Sequence, residues 1–251
     1  MANPSKLAVL ILAAGKGSRM NTDVPKVLTK VGGRPMIQEI LEKAGGLQAE
    51  RTVVVLGHQI DVVRPFLPEY VEVVRQQELL GTAHAVNAAR SAFEGFEGDV
   101  IIMYGDTPFL MEGTISRIVE RHNESGAACT LLTVEHPDPK GYGRIVRAED
   151  GRVLSIVEEL DATEEQRDIH EINVGLYCFR RRDLFEALQE VKANPRKGEY
   201  YLTDVIEILG SKGVCVEAVK SKDALEAFGV NSLEDLEKAR NEMAKKGQNG
   251  Q

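Results

Sequence analysis

The strongest constraint on this sequence is the run Ala8-Val9-Leu10-Ile11-Leu12, which passes directly into a loop holding Gly15 and Gly17. A short, unbroken apolar run without alternation is the pattern of a strand buried on both faces, which requires cover on each side of its sheet. The two glycines let the backbone turn tightly against a ligand, and amides left free in such a turn bind anions. Lys16, Arg19 and Lys26 add positive charge within a few residues, which suits a polyphosphate better than a neutral ligand. The stretch reads as a triphosphate cradle with Lys26 as an exposed loop lysine, although a glycine pair by itself also suits a plain strand-to-helix turn.

Two other phosphate motifs are excluded by position. A Walker A loop needs Gly at position 10 and Ser or Thr at 17, where Leu10 and Gly17 stand, and a dinucleotide fingerprint needs a third Gly where Met20 stands. Further along, residues 36–44 read as a helix, 52–56 as a buried strand closed by Gly57, 60–66 as a short helix, 71–74 as a strand and 82–93 as an alanine-rich helix. Residues 99–104 form a third apolar strand ending in Gly105-Asp106. Strands alternating with helices imply a parallel sheet covered on both faces, with ligands bound beyond the carboxyl ends of the strands.

After a helix at 114–123 the pattern changes. Residues 127–135, 144–147, 153–157 and 172–179 are strand-like with few helices between them, and Asp150-Gly151 is a hairpin turn. The sheet should become mixed there. Helices at 182–192 and 202–209 and a strand at 214–219 follow. Ser232 is positioned as the N-cap of a helix running to about Lys246, with Leu233, Leu236, Ala239 and Met243 on one stripe. Residues 247–251 are expected to be disordered. The expected fold is α/β, a Rossmann-like, mostly parallel sheet with a mixed, β-rich portion and a C-terminal helix. Its expected domains are residues 1–231 and an appended helix and tail at 232–251.

A chain of 251 residues can bury one sizeable core. Its 43% hydrophobic and 28% charged content is that of a globular protein. A net charge of −8 argues against nonspecific nucleic-acid binding, while leaving room for a locally basic site that takes one anionic nucleotide. Cys129, Cys178 and Cys215 form no C-x-x-C pair, so neither a disulfide framework nor a zinc knuckle is indicated. Residues 1–6 have no apolar core like that of a signal peptide, and no run of about 18 apolar residues occurs. A cytoplasmic protein without a membrane partner is expected.

Leu12-Ala13-Ala14-Gly15-Lys16-Gly17-Ser18-Arg19-Met20 followed by Pro25-Lys26 resembles the signature of the sugar-nucleotide pyrophosphorylases, which join a nucleoside triphosphate to a sugar 1-phosphate. Gln76-Gln77-Glu78-Leu79-Leu80-Gly81-Thr82-Ala83-His84-Ala85 is similar to a stretch of the uridyltransferase domain of bacterial N-acetylglucosamine-1-phosphate enzymes. Read without the resemblance, that segment is equally a helix cap with surface glutamines, and His84 at a helix start is more often structural than catalytic. Tyr104-Gly105-Asp106-Thr107-Pro108, Gly141-Tyr142-Gly143-Arg144-Ile145, the segments holding Glu158 and Asn173, the block at 198–204 and Gly229-Val230-Asn231 match the same domain in order, from about residue 7 to about residue 240.

The resemblance implies roles for particular residues. Leu12, Ala13, Ala14, Gly15, Gln76, Gly81 and Thr82 would bind the nucleotide, and Arg19 and Lys26 would act on the phosphates. Tyr104, Gly143, Glu158 and Asn173 would contact the sugar, and Asp106 and Asn231 would hold magnesium, a hard ion suited to oxygen ligands. It implies uridylyl transfer from UTP to N-acetylglucosamine 1-phosphate. Leu160 departs from the pattern, since many relatives carry a basic residue there. The acetyltransferase half, built on hexapeptide repeats, is absent, which implies a monomer that accepts only sugar already acetylated. A different sugar 1-phosphate is the nearest alternative. An idle nucleotide-sugar sensor is disfavoured by Arg19, Lys26, Asp106 and Asn231 together, and an NAD-dependent oxidoreductase by the missing third glycine.

Overall fold

A computed structural model describes residues 6–20, 24–57 and 59–249. The chain runs through β1 (Leu7–Ala13), β2 (Lys30–Val31), β3 (Arg34–Pro35), α1 (Met36–Gly45), β4 (Arg51–Leu56), α2 (Ile60–Val63), β5 (Glu72–Arg75), α3 (Thr82–Ala88), β6 (Asp99–Tyr104) and α4 (Glu112–Ser125). It continues with β7 (Cys129–Glu135), β8 (Arg144–Arg147), β9 (Val153–Val157), α5 (Glu164–Arg167), β10 (Glu171–Arg180), α6 (Arg181–Ala187), α7 (Asp204–Ser211), β11 (Val216–Ser221) and α8 (Leu233–Asn249).

Among the described residues the main sheet has nine strands, with the path β11-β7-β10-β6-β1-β4-β5 and β8 and β9 branching from β10. β1 is parallel to β4 and β6, and β4 to β5, whereas β10 runs antiparallel to both β6 and β7. The mostly parallel α/β sheet with a mixed second part is therefore the observed fold. The chain moves from β1 outward to β4 and β5, then crosses back to lay β6 on the other side of β1. A strand order that reverses in this way opens a crevice at the carboxyl ends of the two strands, here Ala13 and Tyr104.

The apolar run divides its side chains between two layers. Leu10 and Leu12 join Val86 of α3, Leu184 and Phe185 of α6 and Val205 and Ile206 of α7. Val9 and Ile11 join Ile37 and Ile40 of α1 and Ile115 and Ile118 of α4. Each fully buried Leu or Ile contributes about 1.5–3 kcal/mol, so β1 is held from both faces and its end is a fixed point. A third cluster places Leu236 and Ala239 of α8 against Met20, Val31, Met36 and Phe109, with Met243 alongside. The stripe on α8 thus covers the β1 loop's Met20 and the β2–β3 ribbon, while Leu233 stays exposed.

Several boundaries differ from the sequence expectation. The helix expected over 82–93 is α3 followed by a 3-10 turn, Arg90–Phe93, because Ala89 leaves the helical region at φ −85° and ψ 1°. The helix expected over 182–192 ends at Ala187 and unwinds through turns in which Gln189 and Glu190 bond three residues back. Residues 247–249, expected to be disordered, continue α8. Residues 250–251 and the leader residues 1–5 lie outside the described residues. The β2–β3 ribbon was not anticipated. Gly32 and Gly33, at φ 62° and 89°, supply the two positive-φ positions of its turn. No helix among the described residues is long and apolar enough to cross a membrane.

Candidate active site

The crevice begins where β1 and β6 end together, the Gly105 amide donating to the Leu12 carbonyl at 2.9 Å. Ala13 and Ala14 are buried, and Gly15 is exposed with open space around it. Gly17 sits at φ 60°, and a Cβ there would fall 2.8 Å from Lys26 Cβ. The glycine thereby lets the loop lie across the Lys26 stem. Lys26 opens the 3-10 turn Lys26–Leu28. Its ammonium forms an ion pair with Asp106 Oδ2 and donates to Asn231 Oδ1 at 2.7 Å.

Asp106 and Asn231 reach the same point by backbone means. The Val230 amide donates to the Asp106 carbonyl at 3.0 Å, and the Asn231 amide donates to Asp235 Oδ2 at 3.0 Å. Asp235 lies in the first turn of α8, and its own amide donates to Ser232 Oγ at 3.1 Å, the expected cap. Lys26 is not the exposed loop lysine of the sequence reading, since its side chain is 11% exposed against 22% for Asp106. Arg19 is not brought into this group. It is exposed on the turn Ser18–Met20, and no hydrogen bond or ion pair of its side chain occurs among the described residues.

Gln76, Gly81 and Thr82 form a second group. Gln76 is buried, and its Nε2 lies 3.1 Å from the Gly81 carbonyl and 3.0 Å from His84 Nδ1. His84 is therefore spent on orienting the glutamine amide, in line with a structural role. Gly81, at φ 101°, would place a Cβ 2.5 Å from the Tyr200 carbonyl oxygen. That close approach stitches the start of α3 to the 198–204 block. Tyr200 N donates to Leu80 O at 2.7 Å, Ala83 N to Tyr200 O at 2.9 Å and Leu202 N to Thr82 Oγ1 at 2.9 Å.

Tyr104, Gly143, Glu158 and Asn173 make up the third. The Tyr104 hydroxyl lies near those of Tyr177 and Thr82, and burial, then Glu158, raises its pKa. Asn173 Nδ2 donates to the Tyr177 hydroxyl at 2.6 Å, at the point where β10 bulges between Asn173 and Tyr177. Gly143 accepts from Asn173 N through its carbonyl at 2.9 Å. Glu158 Oε1 accepts from Thr203 Oγ1 at 2.9 Å, while burial raises the pKa of its carboxyl. Burial, and Glu158 after it, likewise raises that of Asp204 to about 6. Burial thus disfavours the charged form of both carboxyls.

Three contributors were missed by reading motifs. Thr203 fixes Glu158, although it stands in a matched block. Gly175, at φ 88°, would place a Cβ 2.3 Å from Tyr104 Cδ2 and so seats the tyrosine ring. Gly57 would place one 2.6 Å from the Ala14 carbonyl, which sets how near β4 ends to the loop.

A divalent ion fits the donor set at Asp106 and Asn231. One carboxylate oxygen and one amide oxygen, from segments far apart in sequence, already converge on a cation, the Lys26 ammonium. Among the described residues no group of three or more His, Cys, Asp or Glu could hold a metal. The remaining ligands of a magnesium ion would be phosphate oxygens and water, as is usual for that ion.

The family model described as the MobA-like NTP transferase domain matches residues 9–209. The bifunctional protein GlmU of Brevibacillus brevis is 45% identical over 242 residues, 96% of this chain and 52% of that protein. GlmU of Halalkalibacterium halodurans is 45% identical over 237 residues, 94% of this chain and 52% of its own length. The chain thus spans about half the length of the curated relatives it matches. A crystal structure of UDP-glucose pyrophosphorylase complexed with UDP-glucose superposes with a TM-score of 0.79 at 19% identity, over 96% of this chain and 99% of that one.

Proposed function

The chain belongs to the MobA-like NTP transferase domain family, a nucleotidyltransferase family, and from that premise we propose that it transfers a uridylyl group from UTP to N-acetylglucosamine 1-phosphate, with magnesium bound, giving UDP-N-acetylglucosamine and pyrophosphate. The observation that carries the reading is the convergence of Asp106 Oδ2 and Asn231 Oδ1 on the Lys26 ammonium, beside the loop formed by Ala13, Ala14 and Gly15. That arrangement suits a polyphosphate with its metal. The N-acetyl sugar is preferred over glucose because the GlmU proteins are 45% identical, whereas the UDP-glucose enzyme, at 19%, shares the fold alone.

A sugar phosphate is ionised at neutral pH and is itself the nucleophile, so no general base is needed. Its oxygen forms a bond to the α-phosphorus as the bond to the β-phosphate oxygen breaks, and pyrophosphate leaves. Catalysis then consists of alignment and charge neutralisation. Loop amides from Ala13 to Gly15 and the Lys26 ammonium would bind and orient the triphosphate. Magnesium, held by Asp106 and Asn231, would supply charge neutralisation on the phosphates. Arg19, exposed at the rim, would act on phosphate oxygens at the entrance. Tyr104, Gly143, Glu158 and Asn173 would bound the sugar, and Gln76, Gly81 and Thr82 the nucleoside. The protein would act in the cytoplasm as a monomer, the latter supported by the packing of Leu236 and Ala239 against the domain.

The test is pyrophosphate release with four nucleoside triphosphates against several sugar 1-phosphates, with and without magnesium. UTP with N-acetylglucosamine 1-phosphate should dominate the matrix. Release with no combination would refute the enzyme reading, and a maximum at another sugar would replace the substrate.

A further inference from the structure

Arg144 is 2% exposed, at the start of β8, with backbone register to Val157 of β9 and Ile172 of β10. Its Nη2 lies 2.7 Å from Glu159 Oε2, and its Nη1 donates to the Tyr142 carbonyl. Glu159 Oε2 also accepts from the Gly141 amide at 3.0 Å. A closed ring of contacts therefore grips residues 141–144. Resting on the sugar-transfer reading, we propose that the Arg144–Glu159 pair is a positioning device for the sugar end of the site, holding residues 141–143 against Glu158 and so setting the fit to the sugar ring.

The geometry behind this is short-range. A Cβ at Gly143 would fall 2.8 Å from Ile156 Cγ2 and 3.7 Å from Glu158 Oε1, so the loop already lies in contact with the strand that delivers the carboxylate. Glu158 and Glu159 are successive residues with opposite engagements, Glu158 with Thr203 and Glu159 with Arg144 and Gly141. The Gly141 amide and then the guanidinium hold the Glu159 carboxyl below the usual carboxylate range, so it stays ionised.

Stability is a poor account of the pair. Arg144 Nε is buried with no hydrogen-bond partner. An ion pair whose cation is buried with an unmet donor, while its carboxylate is a quarter exposed, is commonly no better than an apolar pair of the same size. What the contacts do accomplish is to hold the Gly141 amide and the Tyr142 carbonyl, next to Gly143, whose own carbonyl is held by the Asn173 amide.

The test replaces both partners with apolar groups of similar size, Arg144→Met with Glu159→Leu, alongside Glu159→Gln, which keeps an oxygen for both donors. The double variant should remain folded by melting. Its KM for N-acetylglucosamine 1-phosphate should rise about tenfold or more, the scale of one misplaced polar contact. Its kcat and KM for UTP should change less than about threefold, and calorimetry should show UDP-N-acetylglucosamine affinity falling while UTP affinity holds. Glu159→Gln should stay near wild type. Should the double variant fail to fold, Arg144→Lys, which cannot reach both Glu159 and Tyr142, carries the same comparison. A sugar KM that is unchanged, or that rises in step with the KM for UTP, overturns the proposal. Wild-type protein in the same series separates the two ideas: no turnover with any sugar 1-phosphate removes the parent reading and this one together, whereas an active wild type with indifferent variants removes this one alone.

Discussion

Lys26→Met keeps the aliphatic stem beneath Gly17 and removes only the ammonium, so it isolates the charge that Asp106 and Asn231 share. The Lys26 and Asp106 side chains are 11% and 22% exposed, too enclosed for water to take over fully. Leaving the carboxylate with only the amide beside it should cost about 1–3 kcal/mol of stability, and about 2–4 °C of Tm per kcal/mol for a chain of this length. A double-mutant cycle with Asp106→Asn should give a coupling of about 0.5–3 kcal/mol. A divalent ion can return what the ammonium supplied. Binding at 100 times its dissociation constant contributes about 2.7 kcal/mol, so magnesium should raise the Tm of Lys26→Met more than that of wild type. Turnover should fall on the order of 10²-fold or more, the scale for losing one preorganised charge in a reacting site. The assay is thermal melting of the wild type, both single variants and the double variant, with and without magnesium. Additive effects in the cycle, or an identical response to magnesium in wild type and Lys26→Met, would show that the three residues do not share one cation site.

The same site predicts that Asp106→Ala abolishes magnesium-dependent turnover and that Asn231→Ala weakens it, since Asp brings charge and Asn a dipole; magnesium half-saturation left untouched in both would remove them as ligands. Gln76→Ala frees the Gly81 carbonyl and His84, and should cost about 1–3 kcal/mol of discrimination between UTP and CTP, read as a ratio of kcat/KM values; an unaltered ratio assigns base selection to another group. Burial, with Glu158 next, raises the Asp204 carboxyl from 3.8 to about 6, so folding favours its protonated form, a contribution complete below about pH 4 and lost as pH rises through about 6. Asp204→Asn should therefore stabilise the protein by about 1–2 kcal/mol at pH 7, allowing for solvent screening of a half-buried group, and by almost nothing near pH 3.5. Urea unfolding at both values checks it, and an equal gain at each would count against the shift.

What the sequence made legible follows from how local each signal is. β1 and β6 could be read because their apolar runs are continuous and each ends in glycine, and β8 and β9 because Asp150-Gly151 punctuates them. The branch at β10 could be anticipated only as a change of pattern, since its antiparallel pairing with β6 and β7 depends on contacts between segments about 40 to 80 residues apart. In the site, motif order located Lys26, Asp106 and Asn231 but not their mutual contact. Lys26 and Asn231 are 205 positions apart, and nothing in either neighbourhood announces the other. Burial was the other hidden quantity. Lys26 and Arg144 look like surface cations by residue type, and tertiary packing encloses both. Arg19, equally basic and closer to the glycine loop, remains exposed.

The three groups of the site are distinct in backbone origin, yet one side chain joins them. Tyr104 follows the last buried residue of β6 and precedes Gly105 and Asp106, so its backbone leads into the group of Lys26, Asp106 and Asn231. Its hydroxyl lies near Thr82, of the group around Gln76, and near Tyr177, to which Asn173 donates. Its ring rests on Gly175, inside the bulge of β10. A bulge re-aims the strand locally and shifts its register, here against β7 between Asn173 and Tyr177, and Tyr177 pairs with Ile102 of β6 immediately beyond it. The antiparallel strand that interrupts the parallel sheet thus brings Asn173 to the switch point, with the glycine at its bulge making room for the Tyr104 ring. The mixed sheet thereby sets Asn173 and Gly175, in the first half of β10, beside the carboxyl end of β6, where Tyr104, Gly105 and Asp106 follow.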